Sequence, residues 1–261
     1  MSVSWLIALP LLLLSLPAAA HNPFTDSGAE QLAGLVSALV LTLFWGLYVA
    51  GSVRRRPSRR RAWCFHATAL LAALTLLGPL DDWAETSTAA HMVQHMLLMV
   101  VIAPFWVISR PLPQLTAATG RLSAILWRPW LRMTQHPLWM AYLHGLMIWF
   151  WHTPRFYMLA VRDPWWHIIE HACFLVSAGL FWWAVLNASG RRQGWALFAL
   201  LLTLMHTGFL GAILTFAREP LYDEARNLLD QQLAGLVMWV CGAVPYMIGA
   251  VWLGRRWLGK R

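Results

Sequence analysis

Seven apolar stretches divide most of this chain, at roughly residues 28–52, 62–80, 89–109, 137–153, 165–186, 195–217 and 231–253. A helix that crosses a bilayer needs ~20 predominantly apolar residues, and only the fourth stretch is at the lower limit. Inside hydrocarbon every backbone N–H and C=O must be paired within the protein, which leaves helices for segments of this length. The pattern predicts an all-α fold: a polytopic membrane helix bundle of seven transmembrane helices over residues 28–253. Composition agrees, with 59% hydrophobic residues and only 12% charged, too little polar surface to cover a soluble domain of 261 residues.

Residues 1–20, MSVSWLIALPLLLLSLPAAA, read as a signal peptide or signal anchor. The apolar run ends in Ala18-Ala19-Ala20, a small-residue cleavage signal, although its first residues lack Lys and Arg. Either outcome places residue 21 outside the membrane. Cleavage after Ala20 would expose His21, whose amine and imidazole form a nitrogen chelate that suits copper; a solvated terminus is the plainer reading.

The net charge of +9 does not point to nucleic acid, because the positive residues cluster in short connections between the apolar spans. The runs Arg54–Arg56 and Arg59–Arg61, then Arg110, Arg121, Arg128 and Arg132, then Arg191 and Arg192, all fall on alternate loops. The tail, residues 254–261, adds Arg255, Arg256, Lys260 and Arg261. The positive-inside rule assigns these loops and the C-terminal tail to the cytoplasm. The acidic residues, among them Asp26, Glu30, Asp81, Asp82, Glu85 and Asp230, gather on or near the opposite side. They contribute little to orientation, so their placement is read either as an outer mouth that attracts cations or as simple tolerance of that side. Residues 114–133 mix Leu and Trp with Arg and predict an amphipathic helix at the cytoplasmic interface. The segments Gln31–Val36 and Gln232–Val237 both read QLAGLV; their Ala and Gly permit close helix packing. Cys64, Cys173 and Cys241 are isolated in apolar stretches and read as small core residues, not as a disulfide or zinc framework.

Ionisable groups within a span are costly, so their default reading is functional. Seven of the ten histidines lie inside spans or at their outer ends: His91, His95, His144, His152, His167, His171 and His206. His66 and His136 lie near the cytoplasmic side and read as structural. His91/His95 and His167/His171 are both HxxxH pairs, and residues i and i+4 share a helix face. From the rise per residue, His95 and His171 lie ~9 Å and His144 ~12 Å below the outer ends of their spans, so three helices offer imidazoles at a common depth. Met92, Met96 and Met99 form a stripe beside the first pair; Met205 adjoins His206, and Met238 lies at similar depth on the last span. Imidazole with thioether selects copper, Cu(I) above all, whereas zinc more often brings Cys or carboxylate. Asp230, Gln231 and Gln232 at the start of the last span are placed to orient the imidazoles. Glu170 adjoins His171 but is assigned to another face. The bland alternatives are a methionine stripe that only packs and single histidines that hydrogen-bond a neighbour. No GxSxG, HExxH or P-loop is present, and the chain is not expected to be an enzyme.

These motifs resemble a known family. His91-Met92-Val93-Gln94-His95-Met96-Leu97-Leu98-Met99 with Ala103-Pro104, Trp151-His152-Thr153-Pro154, and His167-Ile168-Ile169-Glu170-His171 with Phe181-Trp182-Trp183 are similar to successive blocks of the CtaG family of cytochrome c oxidase assembly factors. Asp230-Gln231-Gln232-Leu233-Ala234-Gly235-Leu236-Val237-Met238-Trp239 is similar to the last block, and the likeness runs over about residues 28–253. One departure is Val240-Cys241-Gly242, where the family often has Val-Pro-Gly. That removes an expected kink and adds a candidate soft ligand. The resemblance implies a role in maturing a haem–copper oxidase in a bacterial inner membrane, with copper as cargo and cytochrome c oxidase subunits and the lipid bilayer as partners. Three other functions fit the same residues: a copper transporter, a haem- or quinone-linked redox protein with imidazoles on iron, and a scaffold without metal.

Overall fold

The computed structural model describes residues 28–223 and 227–259; the signal-like segment 1–20 lies outside them. Helices account for nearly all of the described chain, and it contains no strand. The long helices are α1 (Ala29–Arg54), α4 (Thr88–Ser109), α9 (Pro164–Leu186), α10 (Arg192–Thr215) and α11 (Leu228–Leu258), each long and apolar enough to cross a membrane. α2 (Arg59–Leu77) and α3 (Pro79–Thr86) together pass the same test but bend by 41°. Shorter helices are α5 (Leu112–Thr119), α6 (Arg121–Met133), α7 (Pro137–Trp151) and α8 (Pro154–Arg162). At 15 residues, α7 is ~22 Å long, short of the ~30 Å hydrocarbon thickness.

The bend between α2 and α3 comes from Gly78-Pro79. Proline removes a backbone donor and pushes the preceding residue out of the helical region, and Gly78 takes φ −106°, ψ 179°. A Cβ on Gly78 would meet the Leu74 carbonyl oxygen at 2.2 Å, so the turn closes only around glycine. The stretch expected as one span therefore ends in a short inclined helix, which carries Asp81. The interfacial segment 114–133 is likewise divided, at Gly120 with φ 67°, a conformation that favours glycine. α5 packs tightly on α1: a Cβ on Gly51 would fall 1.8 Å from the Gln114 carbonyl oxygen. α6 carries the exposed Ile125, Leu126, Trp127 and Trp130.

Two long helices contain a π turn, α4 over Leu97–Ile102 and α11 over Val237–Cys241. Pro104 and Pro245 follow within a few residues, and a widened turn relieves the clash of each ring with the carbonyl four residues before it. The irregularity expected to vanish with the Val-Cys-Gly sequence is thus present, and the Cys241 side chain is exposed rather than turned to a site. The two QLAGLV segments do different work. A Cβ on Gly235 would fall 2.6 Å from the Gly211 carbonyl oxygen, so it permits the contact of α11 with α10, whereas Gly34 lines a cavity. Leu39, Val40 and Leu43 on α1 and Phe198, Leu201 and Phe209 on α10 are exposed, as lipid-facing surfaces require. The main core lies between α4, α7, α9, α10 and α11.

Candidate metal centre

The starts of α4 and α9 fix the histidines. The Ser87 side chain accepts from the Ala90 N–H at 3.1 Å and donates to the Asp230 carboxylate at 2.8 Å. That carboxylate, from α11, also accepts from the N–H groups of Thr88 at 2.5 Å and Ala89 at 3.3 Å. An anion capping free N–H groups is favoured by the helix dipole as well as by the hydrogen bonds. On α9, Asp163 accepts from the N–H groups of Trp165 at 2.9 Å and Trp166 at 3.2 Å, with Pro164 in the first turn. These caps define where each helix begins, and so which face carries His91/His95 and His167/His171.

The two pairs meet. Ring centroids of His91 and His95 are 4.2 Å apart, those of His167 and His171 4.1 Å, and across the helices His91 lies 5.0 Å from His167 and His95 5.7 Å from His171. Glu170 lies at the centre, its Oε2 3.3 Å from His91 Nε2 and 3.5 Å from His95 Nε2. The assignment of Glu170 to another face is therefore corrected. Residues 167, 170 and 171 are related by i+3 and i+4, which share one stripe of a helix; the HxxxH spacing marks the two histidines of that stripe and passes over the carboxylate between them.

Donor atoms of His91, His95, Glu170 and His171 all lie within 4.8 Å of one another. Ligands ~2.1 Å from one ion sit ~3.4 Å apart in a tetrahedron, so closing on an ion takes side-chain shifts on the rotamer scale. His95 and Glu170 are fully buried and His91 is 1% exposed. Apart from the contacts of Glu170 with His91 and His95, both ring nitrogens of His91 and His95, Nε2 of His152, His167 and His171, and both Glu170 oxygens are buried without a well-aligned hydrogen bond. One buried polar atom without a partner costs ~1–3 kcal/mol, and these converging donors are close enough together that they could hold one metal ion.

The remaining expected residues separate. His152 adjoins the centre, its ring 5.7 Å from that of His95, and its Nδ1 donates to the Ile148 carbonyl at 2.8 Å. His144 does not join it. Its Nδ1 pairs with Ser177 Oγ at 3.0 Å, its ring stacks on Phe181, and Tyr246 OH lies 3.5 Å from its Nε2. Ser177 is nearly two turns beyond His171 on α9, so the common depth expected for three helices is corrected: His144 packs beside Ser177 and Phe181, further along α9 than the centre. His206 approaches the same deeper layer; a Cβ on Gly145 would meet its Nε2 at 2.9 Å. Beyond that layer, His66 Nδ1 accepts from Trp45 Nε1 at 2.8 Å and Cys64 Sγ donates to the Phe105 carbonyl at 3.4 Å.

Met92, Met96, Met99 and Met238 are packed in the main core, and the segment of Met238 lies against α4. Met205 is 64% exposed and faces away from the bundle. Asp230 and Gln231 do not orient an imidazole: Asp230 caps α4, and Gln231 Oε1 accepts from the Leu221 N–H at 2.7 Å. Their effect on the site passes through the backbone. The donor set thus contains a carboxylate, and the choice between copper and zinc no longer rests on donor type.

A family model described as "Cytochrome c oxidase caa3 assembly factor (Caa3_CtaG)" matches residues 44–260, a stretch that holds every residue of the centre. No curated protein and no solved structure matches the chain.

Proposed function

The chain belongs to the family of cytochrome c oxidase caa3 assembly factors, and from that premise we propose that it holds a copper ion for the oxidase between its membrane helices. His91, His95, His171 and Glu170 are the ligands, and the ion is cargo, taken up and released by ligand exchange without catalysis. The reading places seven spans in a bacterial inner membrane, with α7 as the short fourth span, the tail 254–261 in the cytoplasm and the centre in the outer half of the bilayer. The client is a subunit of the oxidase.

Convergence of three imidazoles and one carboxylate in a fully buried position carries this reading. Charge favours Cu(I). Ligand imidazoles are neutral, so a monovalent ion with Glu170 leaves the site neutral, whereas a divalent ion leaves a net positive charge among apolar helices, which is costly. A haem between the paired histidines would need a slot as wide as the macrocycle; Glu170 and Phe174, whose ring is 4.6 Å from that of His95, fill that space.

The test is metal analysis of the detergent-purified protein beside a His95→Ala/His171→Ala variant. The expected result is about one copper per wild-type chain and a loss of most of it in the variant. Equal copper in the two proteins, or zinc in preference to Cu(I), would overturn the reading.

A further inference from the structure

We propose that Asp81, His167 and His171 form a second metal position, through which the ion passes to the more deeply buried ligands His95 and Glu170. The inference rests on the copper reading of the inner set. Donor atoms of these three residues also lie within 4.8 Å of one another, and His167 Nδ1 is 4.0 Å from Asp81 Oδ1. Asp81 is held in place: Gln94, fully buried on α4, donates through Nε2 to Asp81 Oδ1 at 2.5 Å and to the Thr75 carbonyl at 2.9 Å. The Nε2 atoms of His167 and His171 are buried without a hydrogen-bond partner, so the position has donor capacity that the protein leaves unused.

Accessibility gives the two positions an order. The side chains of Asp81 and His167 are 12% and 14% exposed, while those of His95 and Glu170 are fully buried. A cavity of about 550 Å³ runs between α1 and α9; Asp81, His167, His171 and His91 line it, as do Glu30 and Glu85, whereas His95 and Glu170 are not in its wall. An ion in the cavity therefore reaches Asp81, His167, His171 and the edge of His91 before it reaches His95 and Glu170. His171 belongs to both sets, so it can stay bound while Asp81 and His167 are exchanged for His91, His95 and Glu170. Each position supplies one carboxylate, so Cu(I) is charge-balanced at the start and at the end of the transfer. No electron moves.

The test follows Cu(I) transfer to the full chain in detergent, under anaerobic reducing conditions, from its coloured bicinchoninate complex. Asp81→Asn, nearly isosteric, and His167→Ala are compared with wild type, with His95→Ala as the variant that loses retention. The expected result is wild-type copper content at equilibrium in Asp81→Asn and His167→Ala, reached about tenfold or more slowly, an effect of the size seen when a supporting group at a metal site is lost. Should His167→Ala not be recovered folded, Asp81→Asn decides alone. Loading at the wild-type rate removes the entry position and leaves the copper reading intact. A lowered copper content in Asp81→Asn makes Asp81 part of retention, which also refutes an entry role. No uptake by wild type removes both.

Discussion

Glu170 sets the charge of the centre, and the strongest residue-scale prediction concerns it. Glu170→Gln keeps the shape and a carbonyl oxygen but removes the negative charge that balances a monovalent ion. Cu(I) affinity, measured by competition with a chelator of known affinity, should fall by about tenfold to a hundredfold, with the fold intact by thermal unfolding. Affinity unchanged within twofold would mean that the carboxylate is not a ligand. His144→Ala makes the contrasting case. Its ring is bound to Ser177 and packed on Phe181, so the variant should lose stability by about 2–4 kcal/mol, as truncation of a large buried side chain does, while copper content per folded chain stays at the wild-type value.

At the scale of elements, the start of α4 and the bend before α3 position the ligands without touching an ion. Asp230→Ala leaves the first N–H groups of α4 without their acceptor and should cost about 1–2 kcal/mol, read as a lowered unfolding midpoint in detergent. Because the same cap places His91 and His95, copper affinity should fall as well, and Asp230→Asn should restore part of both. Gly78→Ala drives a methyl group into the Leu74 carbonyl. It should destabilise the protein by about 1–3 kcal/mol and displace α3, so Asp81 and the rate of copper uptake suffer together. A Gly78→Ala protein as stable as wild type would show that the backbone there is not held as described.

On the scale of the whole molecule, the arrangement that matters is the crossing of α4 and α9 under the cover of α7, α10 and α11. Lipid cannot drive this association by hydrophobic burial, so small-residue contacts and buried polar groups do it; Gly235 against Gly211 is one such contact. Topology is testable at this scale. A fluorescent protein fused after Arg261 should fold and fluoresce in the cytoplasm, and a periplasmic phosphatase fused at the same point should be inactive. The opposite pair of results would invert the orientation and move the centre to the cytoplasmic half.

The apolar helices were legible in the sequence, because a bilayer imposes a length on any helix that crosses it; of the seven spans expected, five helices are long and apolar enough to cross, or six with the bent pair of α2 and α3, and the orientation read from the basic loops remains a proposal. The HxxxH pairs were legible too, since the 3.6-residue period decides which side chains share a face. Two members of the polar clusters were not. Glu170 reaches the centre only because α9 is rotated to put residues 167, 170 and 171 on one stripe toward α4, and helix rotation is set by caps and neighbours rather than by a span's own residues. Asp81 reaches His167 because Gly78-Pro79 turns a helix end inward. His144 failed to join the centre for the same kind of reason: the level of a short helix depends on what it packs against. Sequence periodicity determines which residues lie on one face of one helix; the tertiary packing alone determines which faces meet, and at what height.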